Sequence, residues 1–197
     1  VRRANGGFLS EKGINIDMTP VKSGERYFYV WSHRKNIGTP LDTGSMLMIA
    51  EFDPVYPERL ISEPKCLSRP LYGFENTEHT INNEGPYAFY YHNKIYLAYS
   101  GGDARGYLYA IGMLTANDGD DLCDLSVWEK AKTPIASFAT IPGEYGPGHN
   151  SFFWDRDQNL WIAYHAVTSF EEKIVSSGMR RVYFEQDKTP RFDVIVE

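Results

Sequence analysis

Apolar and aromatic residues in this chain come in short runs of about four to six, set apart by Gly, Pro, Asn and Asp. No stretch of about twelve residues keeps apolar side chains at the i, i+3, i+4, i+7 spacing of an amphipathic helix. The runs are rich in aromatic and β-branched residues, which favour a half-buried pleated surface. They predict strands at Tyr27–Ser32, Ser45–Phe52, Tyr87–Tyr91, Ile95–Ser100, Tyr107–Leu114, Ser151–Trp154, Leu160–His165, Met179–Glu185 and Phe192–Val196. His92-Asn93 and Asp155–Asn159 read as tight turns between strands. The expectation is an all-β chain.

Three segments superpose as an internal repeat. Each has a polar residue, a short strand, a turn and an aromatic-rich second strand. The second strands are Tyr27–Ser32, Ile95–Ser100 and Leu160–His165, a spacing of about 65 residues. The polar residues at the heads of the first strands are Asp17, Glu84 and His149. A unit of this length with three or four strands reads as a β-propeller blade with long loops. Blades are expected at about 1–68, 69–133 and 134–197, all within one partial propeller domain. In a propeller the first strand of each blade lies nearest the axis, so Asp17, Glu84 and His149 should converge at one mouth of the channel. Propellers have four or more blades, so three are expected to belong to a larger one.

Composition narrows the function. A hydrophobic fraction of 42% with 23% charged residues is ordinary for a folded globular chain. The net charge of −6 leaves no basic stripe for a nucleic-acid backbone, so no nucleic-acid partner is expected. No apolar run approaches the roughly 20 residues of a membrane-spanning helix, and no membrane partner is expected. Cys66 and Cys123 lie far apart and match no metal-binding spacing. The chain opens Val-Arg-Arg, as a processed or truncated product would.

Two carboxylates facing one pocket are the minimum set for glycoside hydrolysis, one acting as an acid and one as a charged partner. Glu84, in Asn83-Glu84-Gly85-Pro86, is the better acid candidate because its neighbours let a ligand approach the backbone. Asp17 is the second carboxylate. His149, on the expected axis, is the metal candidate, joining waters around one Ca²⁺ or similar ion. Of Arg180 and Arg181, strand alternation turns one inward, where it could pair with a carboxylate or a sugar hydroxyl. Phe74, Trp31 and Trp154 are candidates for stacking on a sugar ring. No Gly-x-Ser-x-Gly, nucleotide-binding loop or His-Glu-x-x-His is present. Asp118–Asp121 reads as a solvated acidic turn.

At these residues the sequence resembles glycoside hydrolase family 43, the arabinofuranosidases, xylosidases and arabinanases. Three ordered segments carry the resemblance. They are Ile16-Asp17-x-Thr19 ahead of Tyr27–Ser32, Asn83-Glu84-Gly85-Pro86 ahead of Ile95–Ser100, and Gly146-Pro147-Gly148-His149-Asn150-Ser151-Phe152 ahead of Trp161–Ala166. The resemblance implies a five-bladed propeller and an inverting mechanism, most like an α-L-arabinofuranosidase, on oligo- or polysaccharide containing arabinose or xylose. Glu84 would be the general acid and Asp17 would tune its acidity and orient substrate. His149 would sit on the axis near a cation such as Ca²⁺. Arg181 or Arg180 would complete the pocket, and a secreted or periplasmic location would follow. The family's catalytic base, an aspartate opening a first-blade strand in an Ala-Asp-Pro context, has no counterpart here. Asp53-Pro54 has the dipeptide but follows the first motif. The missing blades and base are expected from a lost segment or another chain. The competing readings are a non-catalytic carbohydrate-binding relative and a protein-interaction propeller.

Overall fold

The hairpin turns sit where the chain breaks from apolar to small and polar residues. Around them a computed structural model, describing residues 13–169, 171 and 174–193, forms three antiparallel sheets and a two-stranded ribbon. The first sheet is a meander of β1 (Ile14–Ser23), β2 (Arg26–Arg34), β3 (Met46–Glu51) and β4 (Lys65–Ser68). The second repeats that order with β5 (Asn83–Tyr91), β6 (Lys94–Gly101), β7 (Ala110–Asn117) and β8 (Glu129–Lys130). The third has β9 (Tyr145–Trp154), β10 (Leu160–Ser169) and β11 (Ile174–Arg181). The ribbon pairs β12 (Tyr183–Phe184) with β13 (Pro190–Arg191). The only described helical pieces are short 3₁₀ turns, such as Gly73–Glu75 and Leu125–Val127.

The sheets stack face to face. Val21, Phe28, Val30, Leu47 and Ile49 of the first sheet pack on Ile95, Leu97, Tyr99 and Leu114 of the second. The opposite face of the second sheet places Phe89, Tyr96, Ala98, Ile111 and Met113 against Phe152, Ile162, Tyr164 and Ala166 of the third. The middle sheet is therefore covered on both sides, and β6 is buried from Ile95 to Gly101. That is why Ile95-Tyr96-Leu97-Ala98-Tyr99 reads as a continuous apolar run instead of an alternating one. The third sheet alternates, and its outer face leaves Phe153 and Met179 exposed.

Two polar arrangements fix the sheets relative to each other. At the end of β1 remote from Asp17, Asp118 accepts a hydrogen bond from the Gly24 amide at 2.8 Å. Beside it, the Ser23 hydroxyl donates to the Asp120 carbonyl at 2.7 Å. Asp121 pairs with Arg26 at 3.0 Å. The acidic turn thus clasps the β1–β2 hairpin. Between the first and second sheets, the fully buried Glu75 carboxylate meets Lys130 Nζ at 2.5 Å. The same carboxylate accepts from the Tyr99 hydroxyl at 2.7 Å and the Tyr72 amide at 2.8 Å.

Several strand boundaries differ from the sequence reading for local reasons. β1 runs ten residues, longer than the short strand anticipated in the repeat. β4 and β8 are short edge strands whose pattern is too brief to register as periodic. The strand expected from Tyr107 begins at Ala110, because Asp103–Gly106 forms a turn, closed by a Gly106 amide to Asp103 carbonyl bond of 2.8 Å. Met179–Glu185 is divided between β11 and β12. The strand expected at Phe192–Val196 falls mostly outside the described residues, and the ribbon's last strand is Pro190–Arg191. Among the described residues no helix is long and apolar enough to cross a membrane.

Candidate active site at the heads of the inner strands

Each first strand carries a bulge at its head. Pairing skips between Ile16 and Thr19 in β1, between Glu84 and Tyr87 in β5, and between Gly148 and Ser151 in β9. The residue that turns through the left-handed region is Asp17 (φ 56°), Gly85 (φ 55°) and His149 (φ 50°) respectively. A bulge re-aims side chains and ends regular pairing, which suits a site at a sheet margin. Left-handed backbone is costly for residues with a Cβ, so its presence at Asp17 and His149 marks two constrained positions. The repeat is therefore offset by one residue from the alignment expected from sequence. Asp17 and His149 share a slot with Gly85, and Glu84 stands one residue earlier, opposite Ser100.

The three heads meet. Asp17 Oδ2 accepts the Gly85 amide at 3.1 Å, which ties β1 to the peptide next to Glu84. Asp17 Oδ1 lies 3.9 Å from His149 Nε2. The His149 ring covers Gly85, whose absent Cβ would lie 3.4 Å from Nδ1. The His149 amide donates to Ser100 Oγ at 2.8 Å, and Ser32 Oγ donates to the Asn83 carbonyl at 2.9 Å. In both places a serine near the end of a second strand reaches the head of the following sheet's first strand.

Glu84 Oε1 accepts a hydrogen bond of 2.7 Å from the Tyr109 hydroxyl. Tyr109 is fully buried and stacks on His165 with ring centres 5.5 Å apart and planes 11° apart. Burial, with the Glu84 charge adding to it, holds the Tyr109 phenol far above the usual range, so it is a permanent donor. Burial and the neighbouring His149 hold His165 below the usual imidazole range. Gly148 lies flat against the tyrosine: a Cβ there would stand 2.1 Å from a ring carbon of Tyr109. We expect Gly148→Ala to force that ring away from Glu84. Its cost should be about 1–3 kcal/mol, as for other overpacked interiors, read as a lower urea midpoint with an unchanged slope.

The other candidates land elsewhere. Trp31 is 1% exposed, packed with Ala50, Phe52 and Leu60, and its Nε1 donates to Asn15 Oδ1 at 2.9 Å. It has no free face for a sugar ring. Arg181 pairs with Trp161 at the opposite end of the third sheet, four residues below His165 along β10. At about 3.3 Å per residue that is roughly 13 Å away. Its guanidinium lies over Tyr183, 5.0 Å from the ring centre. Arg180 is engaged by Glu144 at 2.8 Å and by the Tyr164 hydroxyl at 2.7 Å. Alternation along β11 separates the two arginines as expected, yet neither comes to the heads of the inner strands. Trp154 is half-exposed at the far end of β9. Phe74 sits in the Gly73–Glu75 turn, partly buried against the core between the first two sheets. Asp53 caps its own turn, accepting from the Val55 amide at 2.8 Å.

Among the described residues no three His, Cys, Asp or Glu side chains gather as a metal cluster. A calcium ion takes six to eight oxygen ligands. His149 Nε2 lies 3.9 Å from Asp17 Oδ1 and its ring 6.3 Å from that of His165, so waters would have to supply most of the oxygen ligands of a calcium ion there.

Tyr109, Ser100 and His165 were not anticipated as site residues. Ser100 and His165 were visible as the end points of the repeated second strands. Tyr109 gave no signal, because it looked like the interior of a strand.

The stacked sheets thus bring Asp17, the Glu84–Gly85 peptide and His149 together at one set of strand heads. Comparison with known proteins supplies the family. The model of the family described as "Glycosyl hydrolases family 43" matches residues 5–190, and the chain belongs to that family. An "Extracellular exo-alpha-(1->5)-L-arabinofuranosidase" of Streptomyces avermitilis is 28% identical over 96% of this chain and 41% of its own length. A protein of the same description from Streptomyces chartreusis is 38% identical over 101 residues, 51% of this chain and 30% of its own length. The crystal structure of an alpha-L-arabinofuranosidase from Lactobacillus brevis superposes with a TM-score of 0.77 at 28% identity. It covers 91% of this chain and 55% of that one. The chain thus spans less than half the length of these curated relatives.

Proposed function

We propose that the three sheets are blades of a larger propeller and that the strand heads form part of an inverting glycosidase site. The substrate class is arabinose- or xylose-containing plant polysaccharide, with α-L-arabinofuranosides preferred. The observation that carries the reading is the meeting of Asp17 with the Glu84–Gly85 peptide, from two adjacent inner strands. The names of the Streptomyces relatives support the arabinofuranoside preference and an extracellular location.

In this reading Glu84 gives its proton to the leaving glycosidic oxygen as the C–O bond breaks. Asp17, bonded to the next peptide, holds the acid's backbone and adds a negative charge beside the developing oxocarbenium ion. Inversion also requires a base that activates water on the opposite face of the sugar, roughly 6.5–9.5 Å from the acid. Among the described residues the carboxylates at the heads of the inner strands are Asp17 and Glu84, and this reading takes the base from outside the described residues.

The test compares the 197-residue stretch with the full-length protein on aryl α-L-arabinofuranosides and β-D-xylosides. Aryl leaving groups scarcely need protonation, so their rates isolate the base. The short chain should show negligible turnover and the longer one should recover it, since general base catalysis contributes about 10²–10⁴-fold. Equal turnover by both would place the base within the short chain. Full-length protein that binds arabino-oligosaccharide without cleaving it would make this a binding module.

A further inference from the structure

A phenol hydrogen-bonded to a catalytic carboxyl can do more than pack. Four observations bear on Tyr109. Its hydroxyl donates to one oxygen only of Glu84, Oε1, at 2.7 Å. The Ser100 side chain is among the groups that act on the same phenol. Ser100 accepts the His149 amide at 2.8 Å, which fixes its side chain at the strand heads. The ring is clamped between His165 and the bare backbone of Gly148. A tyrosine that served only to fill space would not need its hydroxyl aimed at one oxygen of the carboxyl.

We infer that Tyr109 is a positioning residue for Glu84: it reserves Oε1 as an acceptor and leaves Oε2 as the oxygen that carries the transferable proton. This rests on the reading of Glu84 as the acid. The step balances simply. The C–O bond breaks, its electron pair stays on the leaving oxygen, and that oxygen takes the proton from Oε2. Glu84 passes from neutral acid to carboxylate while Tyr109 keeps donating to Oε1. A hydrogen bond to a carboxylate is stronger than one to a neutral acid, so the contact tightens as the proton leaves. Such an interaction, stronger in the transition state than in the ground state, raises the chemical rate. The titratable groups around Glu84 are Tyr109 ahead of β7, bonded to it, Asp17 from β1, bonded to the Gly85 amide, His149 from β9, 3.9 Å from Asp17, and His165 from β10, stacked on Tyr109. Tyr109 alone among them donates a hydrogen bond to the carboxyl in this structure.

The experiment is the pH dependence of kcat/KM in the full-length protein, on a natural arabino-oligosaccharide, for wild type, Tyr109→Phe, Ser100→Ala and Glu84→Gln. Removing the hydroxyl withdraws support from the carboxylate form, so the acid keeps its proton to higher pH. In Tyr109→Phe the alkaline limb should move up by about one to two pH units, and the maximal rate should fall about 10- to 100-fold. Ser100→Ala leaves the ring in place and removes a polar group that acts on the phenol, so its limb should move the same way by less. If Tyr109→Phe does not fold, Ser100→Ala decides alone. An unmoved limb, whatever happens to the rate, assigns Tyr109 to packing and overturns the proposal. Glu84→Gln separates the two claims. If it retains rate and limb, the acid assignment fails; if it loses both while Tyr109→Phe matches wild type, only the positioning role fails.

Discussion

Glu84→Gln in the full-length protein is expected to cut hydrolysis of natural arabino-oligosaccharide by about 10²–10⁴-fold. On an aryl arabinofuranoside with a weakly basic leaving group the loss should be far smaller. An alkoxide leaves poorly unless it is protonated as the bond breaks, whereas a nitrophenolate leaves unaided. Glutamine keeps the shape of the side chain and, with its amide oxygen toward Tyr109, the contact at Oε1, but carries no transferable proton. Binding should therefore change little and the deficit should appear in kcat. The measurement is a rate series across leaving groups of increasing basicity. A steeper dependence in the variant locates the acid at Glu84. Parallel lines for variant and wild type would assign the proton to another group.

The second large effect concerns stability. Glu75 is fully buried, paired with Lys130 and bonded to Tyr99 and the Tyr72 amide. Burial pulls the Lys130 ammonium below its usual range while its hydrogen bond to Glu75 opposes that fall. Removing one partner of a buried pair leaves the other uncompensated, at a cost of about 3–5 kcal/mol. Glu75→Ala should therefore lower Tm by roughly 6–20 °C for a unit of this size. Glu75→Gln, whose one amide oxygen can still accept from either the Tyr99 hydroxyl or the Tyr72 amide, should lose less. The loop it anchors leads directly into Asn83 and Glu84, since the Asn82 amide donates to the Glu75 carbonyl at 3.0 Å. Calorimetry on both variants checks the order. Equal Tm values for Glu75→Ala and wild type would mean that the pair contributes nothing net.

The features legible in the sequence were those that burial imposes over several residues. The second strand of each repeat, such as Ile95–Ser100, stood out because a strand covered on both faces must be apolar throughout. The same burial misdirected the reading of Trp31, whose aromatic character answers to the core around Phe52 instead of to a ligand. The convergence of Asp17, His149 and the peptide after Glu84 was legible because polar residues recur at the strand heads. The one-residue offset was hidden because it depends on which residue takes the left-handed turn. Nothing in Asn83-Glu84-Gly85 says that Gly85, and not Glu84, matches Asp17. Arg181 was misplaced because alternation gives a side chain's face but not its height along the blade. Tyr109 was missed because its partners, Ser100, Gly148 and His165, are scattered through the chain and meet only when the second and third sheets stack.

The account turns on Glu84 holding the proton that is transferred. The most direct measurement is the pH dependence of kcat/KM for full-length wild type and Glu84→Gln on phenyl α-L-arabinofuranoside, whose phenolate is basic enough to depend on the acid's proton yet leaves well enough for the variant to cleave it slowly. Wild type should give a bell, its acidic limb from the base and its alkaline limb from the acid. The variant should keep the acidic limb and lose the alkaline one, with the rate level from neutral pH upward. An alkaline limb unchanged in the variant would show that a different residue carries the proton.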